Sequence, residues 1–178
     1  MRLVYSIPNK LWWIHDFLDK ETYQGIHNAI IKERKKINLG PAKDHWSDDL
    51  INNLISPQVV GVRDYKPFEK LKILVRNNPF FKFDKDVEKM ISTIHFLNKG
   101  SGINWHNDHL WKYGCSYYLN NKWSTQWGGE FMFADEKAHG FIPIIGNSLV
   151  IIKSPFQHKV NTVLSPIMPR ISVQIFMR

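Results

Sequence analysis

His106 and Asp108 stand two residues apart and offer an imidazole and a carboxylate. On an extended backbone, residues i and i+2 project to the same side, so both side chains can reach one cation. A second histidine arriving from a distant strand would complete a face of two histidines and one carboxylate. Such a face leaves three of six octahedral positions open, which suits oxygen chemistry at iron(II). The pair alone is weak. With 8 His and 10 Asp among 178 residues, chance supplies a His-x-Asp roughly 0.4 times. Its plain alternative is an exposed turn in which Asp108 caps a neighbouring amide.

Three further residues strengthen it. His158 follows His106 by 52 residues, Arg170 follows His158 by 12, and Tyr118 follows His106 by 12. Singly, each has an ordinary reading: a satisfied core histidine, a surface ion pair, a core aromatic. If successive strands return to one cavity, His158 joins the metal face. Arg170 can then pair with a carboxylate through two N–H groups, and Tyr118 can donate to it.

The elements that must position these residues divide the chain in two. In the first half, Asp19 can cap a helix bearing Tyr23, Ile26, His27, Ile30 and Ile31 on one face. Leu11 to Leu18 reads as a strand. A second helix is expected over about Pro67 to Arg76, with Phe68, Leu71, Leu74 and Val75 inward and Asn77-Asn78-Pro79 ending it. From about Asp86 the pattern becomes short strands separated by turns. Alternation covers Met90 to Leu97, and Asn98-Lys99-Gly100-Ser101-Gly102 makes a turn. Strands follow at Cys115–Leu119, Gly129–Phe133, Asn147–Ile152, His158–Val163 and Arg170–Met177. The expected fold is α+β, mainly β: a double-stranded β-helix, or jelly-roll, core with N-terminal helices packed on one face. It is read as one domain, 1–178, with a helical support region to about 85 and the catalytic core over about 86–178.

Composition agrees with a packed domain. Hydrophobic residues make up 43%, with 7 Trp, 6 Tyr and 11 Phe, enough apolar surface to offset the entropy of ordering. No stretch approaches the ~20 apolar residues of a membrane helix. A lone cysteine, Cys115, rules out an internal disulfide and suits a reducing cytoplasm. The net charge of +8 raises the question of an acidic partner. Much of it, at Lys32, Arg34, Lys35 and Lys36, falls near a helix end where cations complement the dipole.

Thr93 to Met177 resembles the catalytic domain of prolyl 4-hydroxylase-like, Fe(II)- and 2-oxoglutarate-dependent oxygenases. Ser116-Tyr117-Tyr118-Leu119-Asn120, then Trp123, then Gly128-Gly129-Glu130-Phe131, is similar to an element of the animal oxygen-sensing prolyl hydroxylases. Asn147 to Ile152 followed by His158-Lys159-Val160 resembles the strand leading to the distal metal histidine. Arg170-Ile171-Ser172-Val173 resembles the final strand, which carries the co-substrate's basic residue. The resemblance implies iron at His106, Asp108 and His158, 2-oxoglutarate at Arg170 and Tyr118, and ascorbate as reductant. It further implies an oxidoreductase hydroxylating a protein or peptide side chain, prolyl among them, with release of succinate and CO2.

There are departures from the pattern. Phe96, ten residues before His106, stands where the oxygen sensors have a tyrosine touching the co-substrate, which implies an apolar contact there. Collagen-type enzymes use lysine where Arg170 stands. The interval from His158 to Arg170 is a few residues longer, and Gln174 replaces a small hydroxyl residue. Trp105 and Trp111 are candidates for a substrate wall, whereas Trp123 and Trp127 read as packing. By strand parity, His109 should point away from His106, and His95 should lie in the outer layer. A nucleic-acid oxygenase is the first rival, favoured by charge. It is disfavoured because such enzymes carry a second arginine six residues after the first, where this chain has Phe176. A non-catalytic binding module of the same fold is the second rival, and it would have no need of His106, Asp108, His158 and Arg170 together.

Overall fold

The computed structural model describes residues 1–33, 40–44, 46–51, 53–61, 66–136 and 138–178. Arg34, Lys35 and Lys36 of the basic run lie outside the described residues. In chain order the elements are β1 (Arg2–Ile7), β2 (Leu11–His15), α1 (Lys20–Glu33), β3 (Gly40–Pro41), α2 (Asp48–Ile51), β4 (Gln58–Gly61), α3 (Lys66–Arg76) and β5 (Met90–Leu97). There follow β6 (Ile103–His106), β7 (Tyr113–Tyr118), β8 (Phe131–Ala134), β9 (His139–Ile142), β10 (Leu149–Lys153), β11 (Gln157–Val160) and β12 (Arg170–Met177). They form two antiparallel sheets: an eight-stranded one ordered β1-β2-β10-β7-β12-β5-β4-β3, and a four-stranded one ordered β6-β11-β8-β9. This is the expected jelly-roll.

The last strand shows how sequence dictates position. Arg170, Ser172 and Gln174 alternate with Ile171, Val173 and Ile175, and all six are buried. A strand with both faces covered belongs in the middle of a sheet, and β12 lies between β7 and β5. Its register places Ser172 opposite both Tyr118 and His95, and Gln174 opposite both Ser116 and Thr93. Two polar rows therefore cross the inner face. The outer face carries Ile94, Phe96, Tyr117, Ile171, Val173 and Ile175 in one apolar cluster with residues of α1 and α3.

Packing rather than propensity holds the helices. On α3, Phe68, Leu71 and Val75 are each at most 1% exposed. Burying such a side chain is worth about 2 kcal/mol, against a few tenths of a kcal/mol for most propensity differences. The boundaries are local: Asp19 Oδ1 accepts from the Thr22 N–H at 2.8 Å before α1. After α3, Asn78 donates to the Val75 carbonyl at 2.8 Å.

The first 85 residues supply more than helices. The aromatic and β-branched run Leu11-Trp12-Trp13-Ile14 forms β2, which pairs with β10. At the other end of the large sheet, β4 pairs with β5. The N-terminal half thus extends the sheet on both sides as well as covering one face. Among the described residues no helix is long and apolar enough to cross a membrane.

Candidate metal centre

His106 is the last residue of β6, and His158, on β11, is its direct cross-strand partner. Asp108 follows just beyond the strand end. The ring centroids of the two histidines lie 4.2 Å apart. Asp108 Oδ1 is 3.7 Å from His106 Nε2, and its Oδ2 is 3.7 Å from His158 Nε2. One ligand atom from each residue lies within 4.8 Å of the others, so a single cation can touch all three.

The imidazoles are prepared for that role. His106 Nδ1 is 2.7 Å from the Asn104 carbonyl oxygen, and His158 Nδ1 is 2.8 Å from that of Phe156. A carbonyl only accepts, so each Nδ1 carries the proton and each Nε2 keeps its lone pair. Burial, and secondarily the proximity of His106, lowers the His158 pKa to about 3, so it stays neutral. Burial pushes the Asp108 carboxyl upward, while the neighbouring His106 and His109 work against the rise. A dication would reverse that penalty.

Gly114 on β7 makes room for the carboxylate. A Cβ there would meet Asp108 Oδ2 at 2.5 Å and Ile152 Cγ1 at 3.3 Å. Asp108 can swing away, so Gly114→Ala should fold with a nearly unchanged melting temperature. Its Mn(II) affinity should fall about tenfold, the scale on which disturbing a ligand's support acts. Equal affinity by electron paramagnetic resonance titration would refute this role for Gly114.

The cluster opens on a cavity of about 830 Å³ between the sheets. Ile91, Ile103, Phe131, Val150 and Ile152 supply apolar wall, and the floor carries Thr93, His95, Ser116 and Gln174. Beside these polar rows lies Arg170, fully buried at 0% exposure. Its Nε donates to the Gly129 carbonyl at 2.9 Å, one terminal nitrogen to Ser172 Oγ at 3.0 Å, and the other to Tyr118 Oη at 3.4 Å. The Gly128-Gly129 turn makes the first bond. Both glycines have positive φ, and a Cβ on Gly129 would press Arg170 Cδ at 3.2 Å.

A guanidinium has five N–H donors, so two remain after these three bonds. No carboxylate lies within ion-pair reach of Arg170 among the described residues, although Glu130 acts on it from further away. A buried cation without an ion-pair partner costs several kcal/mol, a cost that an anion placed there would offset. Burial raises the Tyr118 pKa, so its hydroxyl keeps a proton to donate.

The structure thus gathers His106, Asp108 and His158 in one group and Arg170 with Tyr118 in another. It corrects the expectation for Phe96. That side chain belongs to the helix-side core, and its neighbour His95 lines the cavity instead. Matching the family's tyrosine by its distance from His106 fails here, because the Asn98–Gly102 turn lies between them. The β5–β12 register opposes Phe96 to Ile171 on the outer face. His95 is accordingly not in the outer layer. His109 lines the cavity mouth without joining the three ligand atoms.

Trp105 and Trp111 line the cavity, whereas Trp123 packs into the core and meets Trp127 edge-on at 5.4 Å. The polar floor was missed in the sequence. Its signal was present in the polar 170, 172, 174 alternation of an otherwise apolar strand.

Against known proteins, residues 91–178 match the sequence model of the 2OG-Fe(II) oxygenase superfamily. No curated protein matches the chain. Among solved structures, the fold is similar to a prolyl-4-hydroxylase from Pseudomonas putida, with 14% identity, 96% of this chain and 93% of that one covered, and a TM-score of 0.74. It is similar to a Trichoplax adhaerens prolyl hydroxylase solved with a peptide fragment of the hypoxia inducible factor oxygen degradation domain (14% identity, 96% and 84% covered, TM-score 0.77). A third similar structure is SnoN, a non-haem α-ketoglutarate-dependent epimerase from nogalamycin biosynthesis (9% identity, 96% and 78% covered, TM-score 0.66). At these identities the likeness speaks for the fold, and the third case shows that one fold serves more than one reaction.

Proposed function

We propose that the chain, whose residues 91–178 match the 2OG-Fe(II) oxygenase superfamily, is a dioxygenase hydroxylating a side chain of a protein or peptide, with prolyl residues the first class to test. One observation carries the reading. A cluster of three ligand atoms within 4.8 Å of one another opens on a cavity whose polar floor adjoins a buried arginine with no ion-pair carboxylate among the described residues.

In this reading His106, Asp108 and His158 hold Fe(II), and Arg170 and Tyr118 hold the far carboxylate of 2-oxoglutarate. Bound there, iron and co-substrate supply dioxygen activation, with succinate and CO2 released. The protein's own residues do the positioning. The carbonyls of Asn104 and Phe156 keep both imidazoles neutral and turned inward. Asp108 supplies the one negative ligand. The two remaining N–H groups of Arg170 fix which end of the diacid lies deepest, and the apolar walls exclude water.

A polypeptide substrate is supported by the cavity mouth, where Trp105 and Leu110 are 48% and 67% exposed, and by the peptide-bound Trichoplax structure. Ascorbate serves as reductant. The chain works as one domain, 1–178, in a reducing cytoplasm, in keeping with its single cysteine.

The test is turnover. Protein supplied with Fe(II), ascorbate and 2-oxoglutarate should form succinate slowly, and faster with a proline-containing peptide that gains one oxygen atom. Succinate no greater than that of His106→Ala would return the binding module. Retention on nucleic acid that collapses between about 50 and 200 mM salt, with no peptide oxidised, would favour the nucleic-acid rival.

A further inference from the structure

His95 is the residue the oxygenase reading leaves unused. It is 4% exposed and lines the cavity. Its Nε2 lies 3.0 Å from Thr93 Oγ1, and the edge of Trp46 packs on its ring at 5.2 Å between centroids. Its Nδ1 is buried with no hydrogen-bond partner, alone in this among the described side chains lining the cavity. A buried polar atom without a partner costs about 1–3 kcal/mol, so an unpaired Nδ1 on a residue that lines a cavity calls for a ligand atom.

The sheet register says which atom. Across the floor, His95, Ser172 and Tyr118 form one row on adjacent strands. Arg170 reaches that row twice, through one terminal nitrogen to Ser172 and through the other to Tyr118. An anion taking the two remaining N–H groups of Arg170 therefore sits near Ser172, with Tyr118 on one side and His95 on the other.

We propose that His95 is a third co-substrate-binding residue, whose Nδ1–H donates to the far carboxylate of 2-oxoglutarate opposite Tyr118. The assignment rests on the oxygenase reading above. It requires a neutral ring with the proton on Nδ1 and Thr93 donating to Nε2. Burial and the nearby Arg170 charge keep the ring neutral, lowering its pKa to about 3. Thr93, whose hydroxyl can donate or accept, permits that tautomer, and the carboxylate selects it. His95 thereby replaces the apolar contact expected of Phe96 with a hydrogen bond.

The test reads binding without turnover. Full-length protein is loaded with Mn(II) without oxygen and titrated calorimetrically with 2-oxoglutarate and with 2-oxobutyrate, which lacks the far carboxylate. His95→Phe keeps a ring against Trp46 and removes the donor. It should weaken 2-oxoglutarate about tenfold or more and leave 2-oxobutyrate unchanged. His95→Asn, whose amide N–H stands near the Nδ1 position, should recover most of the loss.

A second readout needs no variant. In histidine-15N-labelled wild type, 2-oxoglutarate should fix the Nδ1–H tautomer of one ring, and 2-oxobutyrate should not. Binding of 2-oxoglutarate by His95→Phe within twofold of wild type overturns the proposal, as do equal losses for both ligands or an unchanged 15N spectrum. Wild type that binds Mn(II) but no 2-oxoglutarate overturns the oxygenase reading as well.

Discussion

Asp108→Ala should reduce succinate formation to background and weaken Mn(II) binding by at least about 100-fold, an expectation based on the loss of the only anionic ligand. Two neutral imidazoles remain, and neither can compensate a dication's charge. The same substitution should leave the metal-free protein as stable as wild type, or more so. Asp108 lies beyond the end of β6, and its pKa is raised by burial, so the empty site is penalised by this carboxylate. Thermal unfolding with and without Mn(II) separates the effects: wild type should gain stability from the ion, and the variant should gain none. A variant that still gained stability from Mn(II) would remove Asp108 from the metal face.

Arg170→Leu should weaken 2-oxoglutarate by about 100-fold or more, because truncating one member of a buried charge pair typically costs about 2–5 kcal/mol. Binding of 2-oxobutyrate should hold, since it lacks the group that Arg170 is proposed to meet. Arg170→Lys should fall between. Lysine supplies a point charge but cannot hold Gly129, Ser172 and Tyr118 together with a carboxylate, as the planar guanidinium can. If both ligands weakened equally under Arg170→Leu, the residue would be a structural support rather than a receptor. The calorimetric titrations described for His95 decide this too.

Much of the candidate site was legible because its residues lie on or just beyond strands. His158 lies opposite His106 in the adjacent strand, and Asp108 reaches the same cluster from beyond the strand end. Arg170–Met177 was bounded correctly, since its polar–apolar alternation begins at the residue after Pro169 and the element is covered on both faces. Parity fails where the chain leaves the strand. The resemblance matched Phe96 to the family's tyrosine across a turn, and alternation from Phe96 then set His95 outward, whereas His95 lines the cavity and Phe96 the helix-side core.

The smaller strands were illegible for another reason. In β9 Phe141 is 63% exposed, and β1 is exposed along five of its six residues. Such segments are held by the neighbour they pair with rather than by a pattern of their own. Nothing near Trp46 and Leu50 announced that the chain would return there to wall the cavity. That contact depends on tertiary packing.

The pairing of remote segments also bears on how the molecule comes into being. Ile14 meets Leu149, and Met90 meets Met177, so the large sheet closes only when both ends of the chain are available. Folds dominated by such non-local pairings fold slowly, on a scale of about milliseconds to seconds. During synthesis the first histidine and the aspartate emerge 50 residues or more ahead of His158. Until the last strand joins β5 and β7, Arg170 cannot meet Tyr118. The three candidate ligands can thus meet only after His158 has been made, and the Arg170–Tyr118 contact only after β12 has joined the sheet.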